Sequence, residues 1–268
     1  MVDKSEKFSW LVRVGYFSRA ILYFVLGLVA LTSADRIAEG TNGIFRAIDD
    51  YPGGSVILWI MVVGLAAYAL FRFCSPLFDI ENQGSDTKGW GKRIGHGGSG
   101  IAHLALAYSA FQFAGQDSSG ASGGGGAQEA ASGILSAEFG GALLGILGIA
   151  FFIAAVFQVK KGVTGEFMNR ISGSAPSATR WLGGAGYISR GVVYTVIGWS
   201  LFKAGFMSGG AEQIKTLGDA VASLAGEGFI FTLTAIGLML FGLFSLVLAR
   251  YRIIPELDSS AGVPKFRA

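Results

Sequence analysis

Gly15-Tyr16-Phe17-Ser18-Arg19-Ala20-Ile21-Leu22-Tyr23 returns later in the chain as Gly186-Tyr187-Ile188-Ser189-Arg190-Gly191-Val192-Val193-Tyr194. A looser copy, Gly95-His96-Gly97-Gly98-Ser99-Gly100-Ile101-Ala102-His103, lies between them. Each copy opens a long apolar segment, followed by a polar connection and a second apolar segment, so one unit is used three times. Apolar runs of about 20 residues, enough to cross about 30 Å of hydrocarbon as helix, fall at about 14–33, 55–74, 96–114, 140–159, 186–204 and 229–249. The runs are continuously apolar rather than alternating, which selects helix over barrel. The expectation is a single all-α membrane domain over residues 1–268. Its six transmembrane helices form three tandem two-helix repeats at about 10–74, 90–160 and 181–250, and 251–268 is a cytoplasmic tail. Repeats that each cross twice keep one orientation, which predicts pseudo-threefold symmetry about the membrane normal.

Composition agrees with this reading. Of 268 residues 51% are hydrophobic and only 15% charged, and the mean hydropathy is +0.53, too apolar for an ordinary soluble domain. The first run follows Lys4 and Lys7 as a signal peptide would, but its motif also opens two internal runs, so it is expected to be retained. Cys74, the single cysteine, excludes an internal disulfide. Most basic residues gather on one side: Lys4, Lys7 and Arg13; Arg72, Lys88, Lys92 and Arg93; Lys160, Lys161, Arg170 and Arg180; Arg250, Arg252, Lys265 and Arg267. The positive-inside rule then places both termini in the cytoplasm of a bacterial inner-membrane, multi-pass protein, with the connections inside each repeat on the outer face.

Residues 1–13 read as a basic lead with Phe8 and Trp10 at interface depth. In the outer connections Gly43–Ile48, Gln128–Phe139 and Ile214–Leu224 look like short surface helices. The run from Ser118 to Gly126 has the composition of a flexible linker. Glycine supplies 42 residues, many inside the runs, where small side chains let helix backbones approach closely in lipid. Gly141, Gly145, Gly148, Gly237 and Gly242 are read as such packing positions.

The candidate polar axis follows from helical spacing. Tyr16, Arg19, Tyr23 and Gly27 share one face of the first helix, Tyr187, Arg190, Tyr194 and Gly198 repeat it, and His96, Ser99, His103 and Ala107 are the second copy. Polar stripes on spanning helices face protein or a water-filled cavity, so the three are expected to converge, with Tyr16, His96 and Tyr187 in one layer and Tyr23, His103 and Tyr194 in the next. Interhelical hydrogen bonding is the alternative use of these residues. Arg19 and Arg190 would snorkel to a lipid headgroup, or bind a phosphate or carboxylate anion. His96 and His103 are the only histidines and lie on one face of one helix, so they cannot clamp one haem iron between them. Gly95-x-Gly97-x-x-Gly100 opens an apolar helix without a preceding strand, which removes it as a dinucleotide motif. The acidic residues lie in tails, connections or run edges, poor material for a carboxylate proton relay. No constellation suggests catalysis, a metal, a cofactor or nucleic-acid binding.

The Gly-Tyr-x-Ser-Arg-x-x-x-Tyr openings, the paired runs used three times, and Gly64, Tyr68 and Arg72 in the second run together resemble the bacterial inner-membrane family called domain of unknown function 1206. The resemblance covers nearly the whole chain and implies architecture only, with no activity, cofactor or catalytic residue attached. Three functions are therefore expected in turn: a non-enzymatic accessory or scaffold subunit that packs against the lipid bilayer and partner membrane subunits; a channel or binding protein for a small neutral or anionic solute along the pseudo-threefold axis; and a haem- or quinone-associated redox protein.

Overall fold

The computed structural model describes residues 4–33, 36, 37, 39, 41–79, 84–115, 125–207, 210–254, 256–258 and 265–267. Helices dominate: α1 (Lys4–Thr32), α2 (Thr41–Asp49), α3 (Gly54–Phe78), α4 (Thr87–Ala114), α5 (Gly125–Leu135), α6 (Gly140–Thr164), α7 (Thr179–Phe206), α8 (Leu217–Ala222) and α9 (Phe229–Tyr251). In the tail, strands β1 (Glu256–Asp258) and β2 (Lys265–Arg267) pair antiparallel. The basic lead is not separate from the first apolar run, because α1 begins at Lys4 and continues through it. The run from Ser118 to Gly124 lies outside the described residues, and Gly125 already opens α5.

Local chemistry sets the helix limits. Gly53 (φ 84°) precedes α3, and Asp79 (φ 46°) ends it with its N–H on the Ser75 carbonyl. The Asp86 side chain accepts the Gly89 N–H and starts α4. Gly165 (φ 74°) closes α6 in the left-handed region that glycine enters without a Cβ penalty. Thr216 and Asp219 form a reciprocal capping box on α8.

Among the described residues four helices are long and apolar enough to cross a membrane: Ser9–Thr32 within α1, then α3, α6 and α9. Helices α4 and α7 are as long, at 28 residues each. They are less apolar because α4 carries Ser99, His103 and Gln112, and α7 carries Ser189, Arg190 and Ser200.

The long helices pack as antiparallel neighbours in the order α4, α3, α1, α9, α7, α6. Each repeat's second helix therefore lies against the first helix of another repeat: α3 on α4, α6 on α7, and α9 back on α1. The α1–α3 and α7–α9 pairs also pack within their own repeats. Glycine brings these backbones together. Gly148 faces Gly198 and Phe202, Gly162 faces Gly184, and Gly141 faces Gly205 across the α6–α7 seam. Gly237 seats Ser189, and Gly242 seats Phe24. The short helices α2 and α8 lie together over one end, where Thr41 and Thr216 hydroxyls meet at 3.2 Å. The main core runs through α1, α3, α9 and their neighbours, and a smaller one joins α5, α6 and α7 around Leu144 and Leu201.

Candidate anion site

Arg19 is the hub of the core. Its place on α1, one turn after Tyr16 and one before Tyr23, turns it toward α3 and α9 rather than toward lipid. It is only 4% exposed. Nε donates to Ser245 Oγ of α9 (3.1 Å) and Nη1 to the Tyr68 hydroxyl of α3 (2.8 Å). Its guanidinium carbon stands 4.7 Å from the Tyr16 ring centroid, 5.2 Å from Tyr68 and 5.0 Å from Phe241. Ser245 is itself anchored, donating to the Phe241 carbonyl at 2.8 Å.

Arg190, from the matching position of α7, is 9% exposed and donates through Nη2 to the Tyr194 hydroxyl. Its guanidinium carbon lies 4.6 Å from Phe241, 5.0 Å from Tyr194 and 5.4 Å from Tyr23. The two cations thus share the Phe241 ring, and their separation cannot exceed the sum of their two distances to it. Tyr23 stacks edge-on against the same ring at 4.9 Å.

His103 of α4 enters through Tyr68, with ring centroids 4.6 Å apart. It is 6% exposed, and its Nδ1 stands 2.7 Å from the Ser99 carbonyl. Tyr16 is 1% exposed, edge-on to Tyr68 at 5.3 Å, and has Arg252 over its ring at 5.3 Å. Arg72 also donates to the Tyr68 hydroxyl, at 2.7 and 3.0 Å.

The polar axis is therefore partly assembled. Tyr16, Arg19, Tyr23, His103, Arg190 and Tyr194 connect through Tyr68 and Phe241. Tyr187 is half-buried at one side of the cluster against Phe167, Phe241 and Phe244. His96 binds the Ser75 hydroxyl at 2.8 Å on the α3–α4 seam, and Ser99 serves His103. Sequence reasoning missed Phe241 and Ser245, and gave Tyr68 no role in the axis. Their signal was the second-helix register: Gly64 receives Ser18, Gly237 receives Ser189, and four residues on stand Tyr68 and Phe241.

Four buried polar atoms of this cluster have no hydrogen-bond partner among the described residues: Tyr16 Oη, Arg19 Nη2, His103 Nε2 and Arg190 Nε. Nor does any described carboxylate lie within ion-pair distance of Arg19 or Arg190. The described ion pairs, Arg36–Asp50, Arg46–Glu39 and Lys160–Glu166, lie toward the helix ends. A buried cation without a counter-charge costs several kcal/mol, and each aromatic face returns only about 0.5–2 kcal/mol. Among the described residues the site has no negative charge beside its two arginines, and it has N–H donors to spare.

Fold and site together define a multi-helix membrane protein with an arginine pair in its core that no described carboxylate accompanies. The chain belongs to the family described as Domain of Unknown Function (DUF1206), which matches residues 14–78, 94–165 and 185–252 as three tandem segments. It is also similar to the uncharacterized protein YxxB of Bacillus subtilis (strain 168), 28% identical over 263 residues that cover 93% of this chain and 94% of that one. No solved structure matches.

Proposed function

We propose that this is a non-enzymatic binding protein for a small oxyanion within the bacterial cytoplasmic membrane. All six long helices cross the bilayer, with both termini in the cytoplasm. The observation that carries the reading is the pair of buried guanidinium groups, each with an unpartnered nitrogen and no described carboxylate beside it. An oxyanion supplies both the charge and the acceptors that the cluster lacks. The one-sided placement of Lys and Arg supports the orientation, and the bacterial relative supports the cellular setting.

Calorimetric titration of the purified protein in lipid nanodiscs with inorganic phosphate tests the reading. Saturable binding is expected, and Arg19→Gln or Arg190→Gln abolishes it. A folded wild-type protein that gives no binding heat, or binding indifferent to both substitutions, overturns it. The accessory-subunit reading is the second one. It is favoured by the exposed aliphatic face of α6 (Ile146, Ile149, Ile153 and Val156), which suits a partner helix as well as lipid. Stoichiometric partner subunits after gentle extraction, with no phosphate binding, would move the conclusion there.

A further inference from the structure

The cluster contains more than positive charge. Near His103 Nδ1 stands a backbone carbonyl, Ser99 O at 2.7 Å, and a carbonyl can only accept, so Nδ1 carries the ring hydrogen. In neutral imidazole that leaves Nε2 as a bare acceptor. Nε2 is also the buried histidine atom without a partner, and the ring that bears it packs on Tyr68, whose hydroxyl holds Arg19. The unsatisfied set is therefore mixed: Arg19 Nη2 and Arg190 Nε can only donate, His103 Nε2 accepts, and the Tyr16 hydroxyl can do either.

A fully deprotonated anion meets the two arginines and leaves the histidine lone pair facing negative charge. An anion that keeps one O–H offers acceptors to the arginines and a donor to the histidine. Resting on the anion-binding reading above, we infer that the site selects a phosphate group that retains a proton, its P–OH donating to His103 Nε2 while its unprotonated oxygens accept from Arg19 and Arg190. Free hydrogen phosphate and the monoester headgroup of phosphatidic acid share this chemistry.

Sulfate is the discriminating probe, since it matches phosphate in size and shape but holds no proton near neutral pH. Binding of inorganic phosphate and of sulfate is compared for the full chain in nanodiscs at neutral pH. Leaving a buried acceptor unpaired costs about 1–3 kcal/mol, so phosphate is expected to bind about tenfold or more tightly than sulfate. His103→Phe keeps the ring against Tyr68 but deletes the acceptor. It should bring the two anions to one affinity, with phosphate weaker than in wild type and sulfate no weaker. His103→Gln, whose amide oxygen is again an acceptor, should recover part of the preference.

Equal affinity for the two anions in wild type overturns the inference while leaving the anion site standing. So does a phosphate preference that persists in His103→Phe. Binding of neither anion, together with no retention of phosphatidic acid over phosphatidylcholine, instead removes the underlying reading. If His103→Phe does not fold, the wild-type ratio decides alone. Retention of phosphatidic acid over phosphatidylcholine in native mass spectra, without binding of inorganic phosphate, assigns the P–OH group to the lipid. Binding of inorganic phosphate assigns it to the free anion.

Discussion

At the scale of single residues, Arg190 is the costlier of the two buried cations. It has one side-chain hydrogen-bond partner, Tyr194, whereas Arg19 has two, Ser245 and Tyr68. Arg190→Met removes an uncompensated charge and keeps the stem volume. In the ligand-free protein we expect unchanged stability or a gain of up to about 4 kcal/mol, read as the thermal transition in detergent. The same variant should lose all stabilisation by phosphate. Opposite signs in the two readouts separate a ligand residue from a packing residue. Glycine offers a second test. A methyl group at Gly64 or Gly237 would occupy the place of the Ser18 or Ser189 side chain, so Gly64→Ala should cost about 1–3 kcal/mol by overpacking. Gly97 is also helical but has open space around it, and Gly97→Ala should stabilise by about 0.4–1 kcal/mol.

At the scale of elements, arginines tie the C-terminal ends of α3, α6 and α9 to neighbouring helices. Arg13 of α1 donates to the carbonyls of Ala249 and Arg250 at the end of α9 (2.9 and 2.7 Å). Arg93 of α4 donates to the Pro76 carbonyl in the last turn of α3. Arg180 of α7 donates to Gly162 and Val163 at the end of α6 (3.1 and 2.6 Å). In each case a cation meets the carbonyl end of a helix, where its partial negative charge lies. The ties also join one repeat to another. We expect Arg13→Ala to cost about 1 kcal/mol, visible as earlier hydrogen exchange in the last turn of α9. At the opposite end, Thr216 caps α8 and meets Thr41 of α2. Thr216→Ala should cost about 1 kcal/mol and raise exchange in α2 and α8 together. Exchange confined to α8 would show that the short helices do not act as one cap.

At the scale of the whole molecule, the chain closes on itself. Helix α1 packs along α9, so the first helix lacks a principal neighbour until the last is made. Truncation before Thr179 should leave a product that does not fold, recognisable by aggregation on size exclusion. The orientation has its own test. In a Cys74→Ser background, a membrane-impermeant thiol reagent applied to intact cells should label Asp49→Cys and Glu212→Cys, while Ser174→Cys reacts only after permeabilisation. The reverse pattern would invert the assigned topology.

Helical periodicity and the triple motif carried much of this protein by themselves. Residues such as Tyr16, Arg19 and Tyr23 share a face because 3.6 residues make a turn, and long apolar helices follow from hydropathy that any window of sequence contains. The short helices near Gly43, Gln128 and Ile214 were legible for the same local reason. Only tertiary structure decided that α3 sits on α4, α6 on α7 and α9 on α1, because helix partners depend on how separate ridges and glycine notches meet. Once they meet, a long arginine takes the nearest acceptors and rings. Arg19 therefore turns inward to Ser245 and Tyr68 instead of reaching lipid, and His96 goes to Ser75 while His103 joins the core. The stripe was written in one helix, but whether it faces a partner, a lipid or an anion depends on residues more than 200 positions away.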